Sequence, residues 1–208
     1  MTSNDACTEI RVAVLGEWMP SQLADVLALQ RAEEPEAAIA LVERAATASA
    51  HEPTGGSFDF AVSANEVQWS GWVCEPLWYD TLAVAVAKRS HLLAYRDVQG
   101  HELLKQPLIC AQSSADESWH AAARRLLADA PQLPEQKVST FDMAMTLVAA
   151  GYGVTIAPAA RLAGYQCKGV AVRPLAGAPT IVIAYLLYFD TVLSECQKRF
   201  AVRVRSVS

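Results

Sequence analysis

The segment that most resembles a chemical motif is the Gly-x-Gly of Gly151 and Gly153, inside the run STFDMAMTLVAAGYGVTIAPAA at residues 139–160. A glycine-rich loop that holds a nucleotide phosphate needs a strand before it and a helix after it. The order here is the reverse, because an apolar helix-like run comes first and a β-rich run follows. We therefore predict that Gly151 ends a helix in the left-handed conformation and that Gly153 lets the chain turn into a strand.

The front of the same helix is the better candidate for binding. Ser139 or Thr140 is predicted to cap it ahead of Phe141, and a helix N-terminus offers free N–H groups and the positive end of a dipole. Two other places have this character: Gly16–Trp18 after the first β-rich run, and Ser113–Ser114 after a later one. Helix capping alone explains such residues equally well, so the sequence leaves both roles open.

The sequence contains no pattern typical of an enzyme or of a resident cofactor. No nucleophile elbow, Ser/His/Asp order or paired acid/base motif is present. The histidines and the five cysteines also lack the close spacing of metal ligands. We therefore expect a protein that is not an enzyme and that has no cofactor and no bound metal. The histidines are His51, His91, His101 and His120, and the cysteines are Cys7, Cys74, Cys110, Cys167 and Cys196.

Composition points to a globular protein that does not itself bind nucleic acid. The chain has 208 residues, of which 52% are apolar and 19% charged, and its net charge of −5 gives no basic surplus. No apolar run approaches the roughly 18–20 residues that cross a bilayer, and the N-terminus has no signal-peptide pattern. Because the cysteines are isolated, they fit a reducing compartment. We expect a cytoplasmic location and no membrane partner.

The alternation of strand-like and helix-like segments predicts an α/β protein with two lobes. The run IRVAVL at 10–15, a helical pattern opened by Pro20 or a Ser21 cap, and a strand at 37–43 form a βαβ unit with a parallel sheet. A similar alternation follows between residues 80 and 158, and residues 64–76 read as a loop. No flexible linker separates the two parts, so ordered crossover strands should join them.

The ordered series of segments resembles the effector-binding domain of LysR-type transcriptional regulators. The resemblance rests on the Ser/Thr-led helix with VAAG-x-G and a short strand ending in proline, on FDFAVS at 58–63, and on the region from PLWYD to PLI at 76–109. It covers roughly residues 8–205. It implies two Rossmann-like lobes joined by two crossover strands, similar to type 2 periplasmic binding proteins. Lobe I would be 8–80 plus 163–208, and lobe II would be 81–162.

The resemblance also implies a function. A small-molecule inducer would bind in the cleft between the lobes, and the domain would form a homodimer or homotetramer. The family binds DNA through an N-terminal winged helix-turn-helix, which is absent from this chain. Two alternatives stay open: a periplasmic-type solute-binding protein, and an interaction domain of this fold without a ligand. The candidate ligand-binding residues are Gly16, Glu17, Trp18, Ser63, Ser113, Ser114, Ser139, Thr140, Phe141 and Pro158.

Several of these positions carry competing interpretations. The family often has Ser or Thr in the first loop, where it holds an inducer carboxylate, but this chain has Glu17. A carboxylate there repels an acidic inducer, so a neutral, cationic or metal-bearing ligand is favoured. Trp18 could stack on a ligand or simply pack, and Pro158 fits core packing better than ligand contact.

Overall fold

The computed structural model describes residues 9–45, 57–112, 117–127, 134–165, 168–191 and 193–207. The chain divides into two compact units. Unit 1 comprises Met1–Trp78 and Ile183–Ser208, and unit 2 comprises Tyr79–Val182. The chain therefore passes between the units twice, each time inside a strand. Among the described helices, none is long and apolar enough to cross a membrane.

Unit 1 is built on a parallel βαβ core, as the sequence predicted. Strand β1 pairs in parallel with both β2 and β3, and β9 extends the sheet by pairing antiparallel with β3. All four residues of β3 are buried, which is typical of a strand covered on both faces. The elements are β1 (Glu9–Leu15), α1 (Gln22–Glu33), β2 (Ala38–Arg44), β3 (Phe60–Ser63), β9 (Ile181–Phe189) and α6 (Glu195–Ser206).

Unit 2 contains two sets of paired strands. Strand β4 pairs antiparallel with β7 and with β8, while β5 pairs in parallel with β6. A 3₁₀ turn at His91–Ala94 follows β4. The elements are β4 (Trp72–Ala87), α2 (Gly100–Leu103), β5 (Leu108–Ala111), α3 (Ser118–Leu126), β6 (Glu135–Val138), α4 (Phe141–Ala150), β7 (Thr155–Pro158), α5 (Ala159–Gly164) and β8 (Val170–Pro174).

The division into units differs from the predicted lobes mainly at residues 163–182. These residues belong to unit 2, because β8 pairs with β4 from Ala83 to Ala87. The resemblance to the family, and not the strand–helix alternation, implied that they belong to lobe I. The predicted boundaries 8–80 plus 163–208 and 81–162 stay a prediction for the lobes of the family.

One local prediction is wrong, and a second is correct only in its position. The loop expected over 64–76 ends early, because β4 already begins at Trp72. The Trp72 ring packs against Phe58 and Trp69, with ring centroids 5.4 Å apart in both pairs, and this burial favours an ordered strand. Ser21 is at the N-cap position of α1, one of the two predicted alternatives, but its backbone is helical and its side chain makes no capping hydrogen bond. Instead the carbonyl of Pro20 accepts from the Leu23 N–H at 3.1 Å.

The cysteines also differ from expectation. Cys196 is disulfide-bonded, whereas Cys74 and Cys110 are free thiols. The expectation that all five cysteines are isolated is therefore wrong, because spacing in the sequence does not report which thiols meet in space. The cysteines no longer argue for a reducing compartment, and the cytoplasmic location stays a prediction.

The Gly-x-Gly segment ends a helix, as predicted. Gly151 has φ 84°, and the backbone N–H groups of Gly151 and Tyr152 donate to carbonyls of the last helical turn at 2.9 and 3.1 Å. At Gly153 a Cβ atom would lie 2.2 Å from the carbonyl oxygen of Pro107. The second glycine therefore lets two chain segments approach closely at the start of β7. Neither glycine precedes a helix that could hold a phosphate.

A charged network joins α1 to α6 within unit 1. The Arg203 guanidinium donates to Glu33 at 2.6 Å, to Glu34 at 2.8 Å and to the Gln30 side-chain oxygen at 2.8 Å. Arg199 also pairs with Glu34 from a more exposed position. Hydrogen bonds from Arg199 and Arg203 lower the pKa of Glu34 to about 2. Arg203 itself is 7% exposed, so its charge depends on these partners.

Replacing the buried arginine should cost far more than replacing the exposed one. We expect Arg203→Met to lower the free energy of unfolding by about 3 kcal/mol, because buried acceptors on α1 lose their donor. Arg199→Met, which removes an exposed partner of the same Glu34, should cost less than about 1 kcal/mol. Urea unfolding of both variants measures the difference. Equal losses would show that the network does not hold α6 on α1.

Candidate functional site

Four of the predicted ligand-binding residues lie at one edge of the unit 1 sheet. Strands β1 and β3 are parallel, and Leu15 at the end of β1 is opposite Ser63 at the end of β3. Gly16, Glu17 and Trp18 follow β1 directly, so they share this carboxyl-terminal edge with Ser63. In open α/β sheets, ligands bind outside the carboxyl ends of the strands. The structure thus brings these four residues together where such folds bind ligands.

The residues at this edge differ in their hydrogen bonds and in their exposure. Gly16 has φ 105°, which favours glycine, and its N–H already donates to the Arg44 carbonyl at 2.8 Å. The Ser63 hydroxyl accepts from the Asn65 N–H at 2.9 Å. Trp18 is 4% exposed, so its ring is packed. Glu17 is half-buried and therefore presents more of its side chain than Trp18 does.

A second edge lies in unit 2, where β5 and β6 end side by side. Ala111 is opposite Val138, so Ser139 and Thr140 leave the sheet at its carboxyl-terminal edge. Both residues are exposed, and Thr140 is the N-cap of α4. Its hydroxyl accepts from the Met143 N–H at 3.3 Å. The predicted cap is confirmed, which satisfies one helix N–H and leaves the Ser139 hydroxyl at the surface.

Phe141 is held by two residues that the sequence pattern did not indicate. The Arg161 guanidinium carbon lies 4.0 Å from the Phe141 ring centroid, and the Tyr165 ring meets Phe141 edge-on with centroids 5.6 Å apart. Phe141 is 7% exposed, so its ring is part of the packing. Arg161 places a positive charge next to the first turn of α4, whose dipole is also positive there. This edge therefore suits an anionic or hydrogen-bond-accepting group.

Pro158 is a further candidate, in unit 2. It ends β7, is buried, and is opposite Leu82 of β4. The N–H of Ala160 donates to the Asp80 carboxylate at 3.0 Å, and the Thr81 N–H donates to the other carboxylate oxygen at 2.7 Å. Asp80 thus occupies the start of α5 next to Pro158, a contact that sequence spacing could not reveal. The surroundings of Pro158 favour a packing role.

Ser113 and Ser114 lie outside the described residues. Their assignment as ligand contacts stays a prediction.

Comparisons with known proteins agree with the fold described above. Residues 3–206 match the family described as LysR substrate binding domain. The chain belongs to this family. A comparison with curated proteins found no match. The predicted family and fold class are confirmed, and the family is one of regulatory domains rather than of enzymes.

Solved structures of this family share the fold at low sequence identity. The BenM effector-binding domain with its effector benzoate has TM-score 0.83 and 20% identity, over 95% of this chain and 90% of that one. Full-length CbnR complexed with target DNA has TM-score 0.80 and 19% identity, over 95% and 70%. Reduced OxyR from N. meningitidis has TM-score 0.79 and 16% identity, over 96% and 95%. The chain spans 66% of a full-length BenM mutant.

Mutation can show which residue caps α4. We expect Thr140→Ala to lower the free energy of unfolding by about 1 kcal/mol, because the Met143 N–H loses its acceptor. Thr140→Ser should keep the bond, and Ser139→Ala should leave stability unchanged. Thermal unfolding of the three variants gives the answer. A loss in Ser139→Ala as large as that in Thr140→Ala would mean that the cap is Ser139.

Proposed function

We propose that this chain is the effector-sensing domain of a LysR-type transcriptional regulator. The observation that carries the proposal is the meeting of Gly16–Trp18 with Ser63 at the carboxyl ends of β1 and β3, in a chain of this family. The BenM relative was solved with its effector benzoate, and CbnR was solved with its target DNA. Both support a domain that binds a small molecule and acts on DNA through a separate part of the regulator.

The two edges differ in the chemistry that they offer to a ligand. At the unit 1 edge, the Glu17 carboxylate favours a cationic or hydrogen-bond-donating group and disfavours an acid. At the unit 2 edge, the first turn of α4, the exposed Ser139 and the nearby Arg161 favour an anionic or accepting group. An effector that contacts the unit 1 edge should therefore be neutral or basic there. The predicted placement of the effector between the lobes stays a prediction.

Self-association belongs to the same proposal. Among the described strands, β2 pairs with β1 alone, so its other side is an open sheet edge. Leu41 in this strand is 47% exposed, which is unusual for a large apolar side chain on an edge strand. These features support a homodimer or homotetramer in which a second copy covers β2. DNA binding would belong to an N-terminal domain of the regulator.

A thermal-shift screen of small metabolites tests the proposal. Ligand binding to the folded state raises its stability, and a ligand at about 100 times its Kd adds about 2.7 kcal/mol. For a chain of this size we expect the Tm to rise by about 5–10 °C for a true effector. The measurement needs only the purified chain and a panel that includes acidic, neutral and basic compounds. A broad panel without a selective shift would favour the interaction domain without a ligand.

The Glu17→Ser variant identifies which compounds contact the unit 1 edge. Cationic compounds should bind more weakly to the variant, and carboxylates should bind more tightly, because the repelling charge is gone. Glu36→Ser is the matched control. Glu36 is exposed and lies two residues before β2, whereas Gly16 contacts Arg44 at the other end of that strand. If both variants give the same affinities, Glu17 does not contact the ligand.

A further inference from the structure

Three chemically reactive side chains meet in unit 2, away from any motif in the sequence. Cys110 lies in β5, His120 in α3 and Glu135 at the start of β6. Their ligand atoms, a thiol sulfur, an imidazole nitrogen and a carboxylate oxygen, all lie within 4.8 Å of one another. In the described part of the chain, this is the one group of three such residues with that spacing. The three residues come together only because β5 pairs in parallel with β6 and α3 packs beside them.

This set of atoms matches the preference of zinc. Cysteine sulfur, histidine nitrogen and carboxylate oxygen bind Zn²⁺ at about 2.0–2.3 Å, which places tetrahedral ligands about 3.3–3.8 Å apart. The ligand atoms therefore need to approach one another by at most about 1.5 Å, which small side-chain rotations can supply. Harder cations such as Mg²⁺ and Ca²⁺ prefer oxygen ligands and do not suit a thiol and an imidazole.

The imidazole of His120 provides a second, independent observation. Its Nε2 atom is buried and has no hydrogen-bond partner. A buried polar atom without a hydrogen-bond partner lowers the stability of the folded state by about 1–3 kcal/mol. Such atoms are rare in native structures, and an absent ion is one explanation for them. Coordination through Nε2 would supply the missing partner.

The surroundings leave room for a fourth ligand. A cavity of about 260 Å³ is bordered by the three side chains together with Gln112, Arg124 and Lys137. Zinc sites with three protein ligands take water in the fourth position. Arg124 pairs with Glu135 at 3.2 Å, and Lys137 is opposite Cys110 in the strand register. The positive charges of Arg124 and Lys137 repel a bound cation. Because Arg124 already pairs with Glu135, the Glu135 carboxylate would have to contact both Arg124 and the metal ion.

We propose that Cys110, His120 and Glu135 bind one Zn²⁺ ion in unit 2, with water as the fourth ligand. The ion ties β5, β6 and α3 together and so stabilises this unit. The thiol must lose its proton to the solvent when the S–Zn bond forms, while the neutral imidazole and the carboxylate release none.

Metal titration of the purified chain tests this site. The experiment is done without reductant, so that the disulfide at Cys196 stays formed. We expect one Zn²⁺ per chain in competition with a chromophoric chelator, and a thiolate-to-metal charge-transfer band when Co²⁺ replaces zinc. Cys110→Ser should abolish the band and weaken zinc binding at least tenfold, and His120→Gln should weaken it similarly. The matched controls Cys74→Ser and His101→Gln should keep both signals.

The results separate binding from folding. Thermal unfolding of each metal-free variant shows whether it is folded, and zinc should raise the Tm of the unaltered chain but not that of folded Cys110→Ser. The proposal is wrong if the unaltered chain gives no charge-transfer band with Co²⁺, or if folded Cys110→Ser keeps its zinc affinity. Should Cys110→Ser fail to fold, the Co²⁺ spectrum of the unaltered chain decides alone.

Discussion

The parallel pairing of β1 with β3 is the constraint on which the rest of unit 1 depends. Because the two strands run in the same direction with Leu15 opposite Ser63, the segments that follow them emerge at one edge. A polar loop at Gly16–Trp18 and a strand-end serine thereby become neighbours, although the sequence separates them widely. The same rule acts in unit 2, where Ala111 is opposite Val138 and α4 begins at the shared edge. Register thus determines where chemistry can occur in each unit.

Charge then distinguishes the two edges. Glu17 gives the unit 1 edge a carboxylate, while the α4 N-terminus and Arg161 give the unit 2 edge a positive character. Elsewhere charges serve packing: Arg203 connects α6 to three side chains of α1, and Asp80 accepts from the first turn of α5. The family membership shows that the chain is a regulatory domain.

Local features could be predicted from the sequence, whereas meetings of distant side chains could not. The helix stop at Gly151 and the cap at Thr140 depend on residues within one turn, and both predictions are confirmed. The early start of β4 depends on Trp72 packing against aromatic rings, which local polarity does not report. The proximity of Cys110, His120 and Glu135 depends on the strand pairing and on the position of α3. No spacing rule along the chain could therefore have indicated it.

Hydrogen–deuterium exchange, with and without the effector that gives the largest thermal shift, tests the central claim most directly. The account predicts slower exchange at residues 16–18 and at 63–65, since these backbone groups lie at the unit 1 sheet edge. The effect should scale with the concentration of effector and saturate with its Kd. Slower exchange confined to other segments, with these two unchanged, would contradict the proposal that the effector contacts the unit 1 sheet edge.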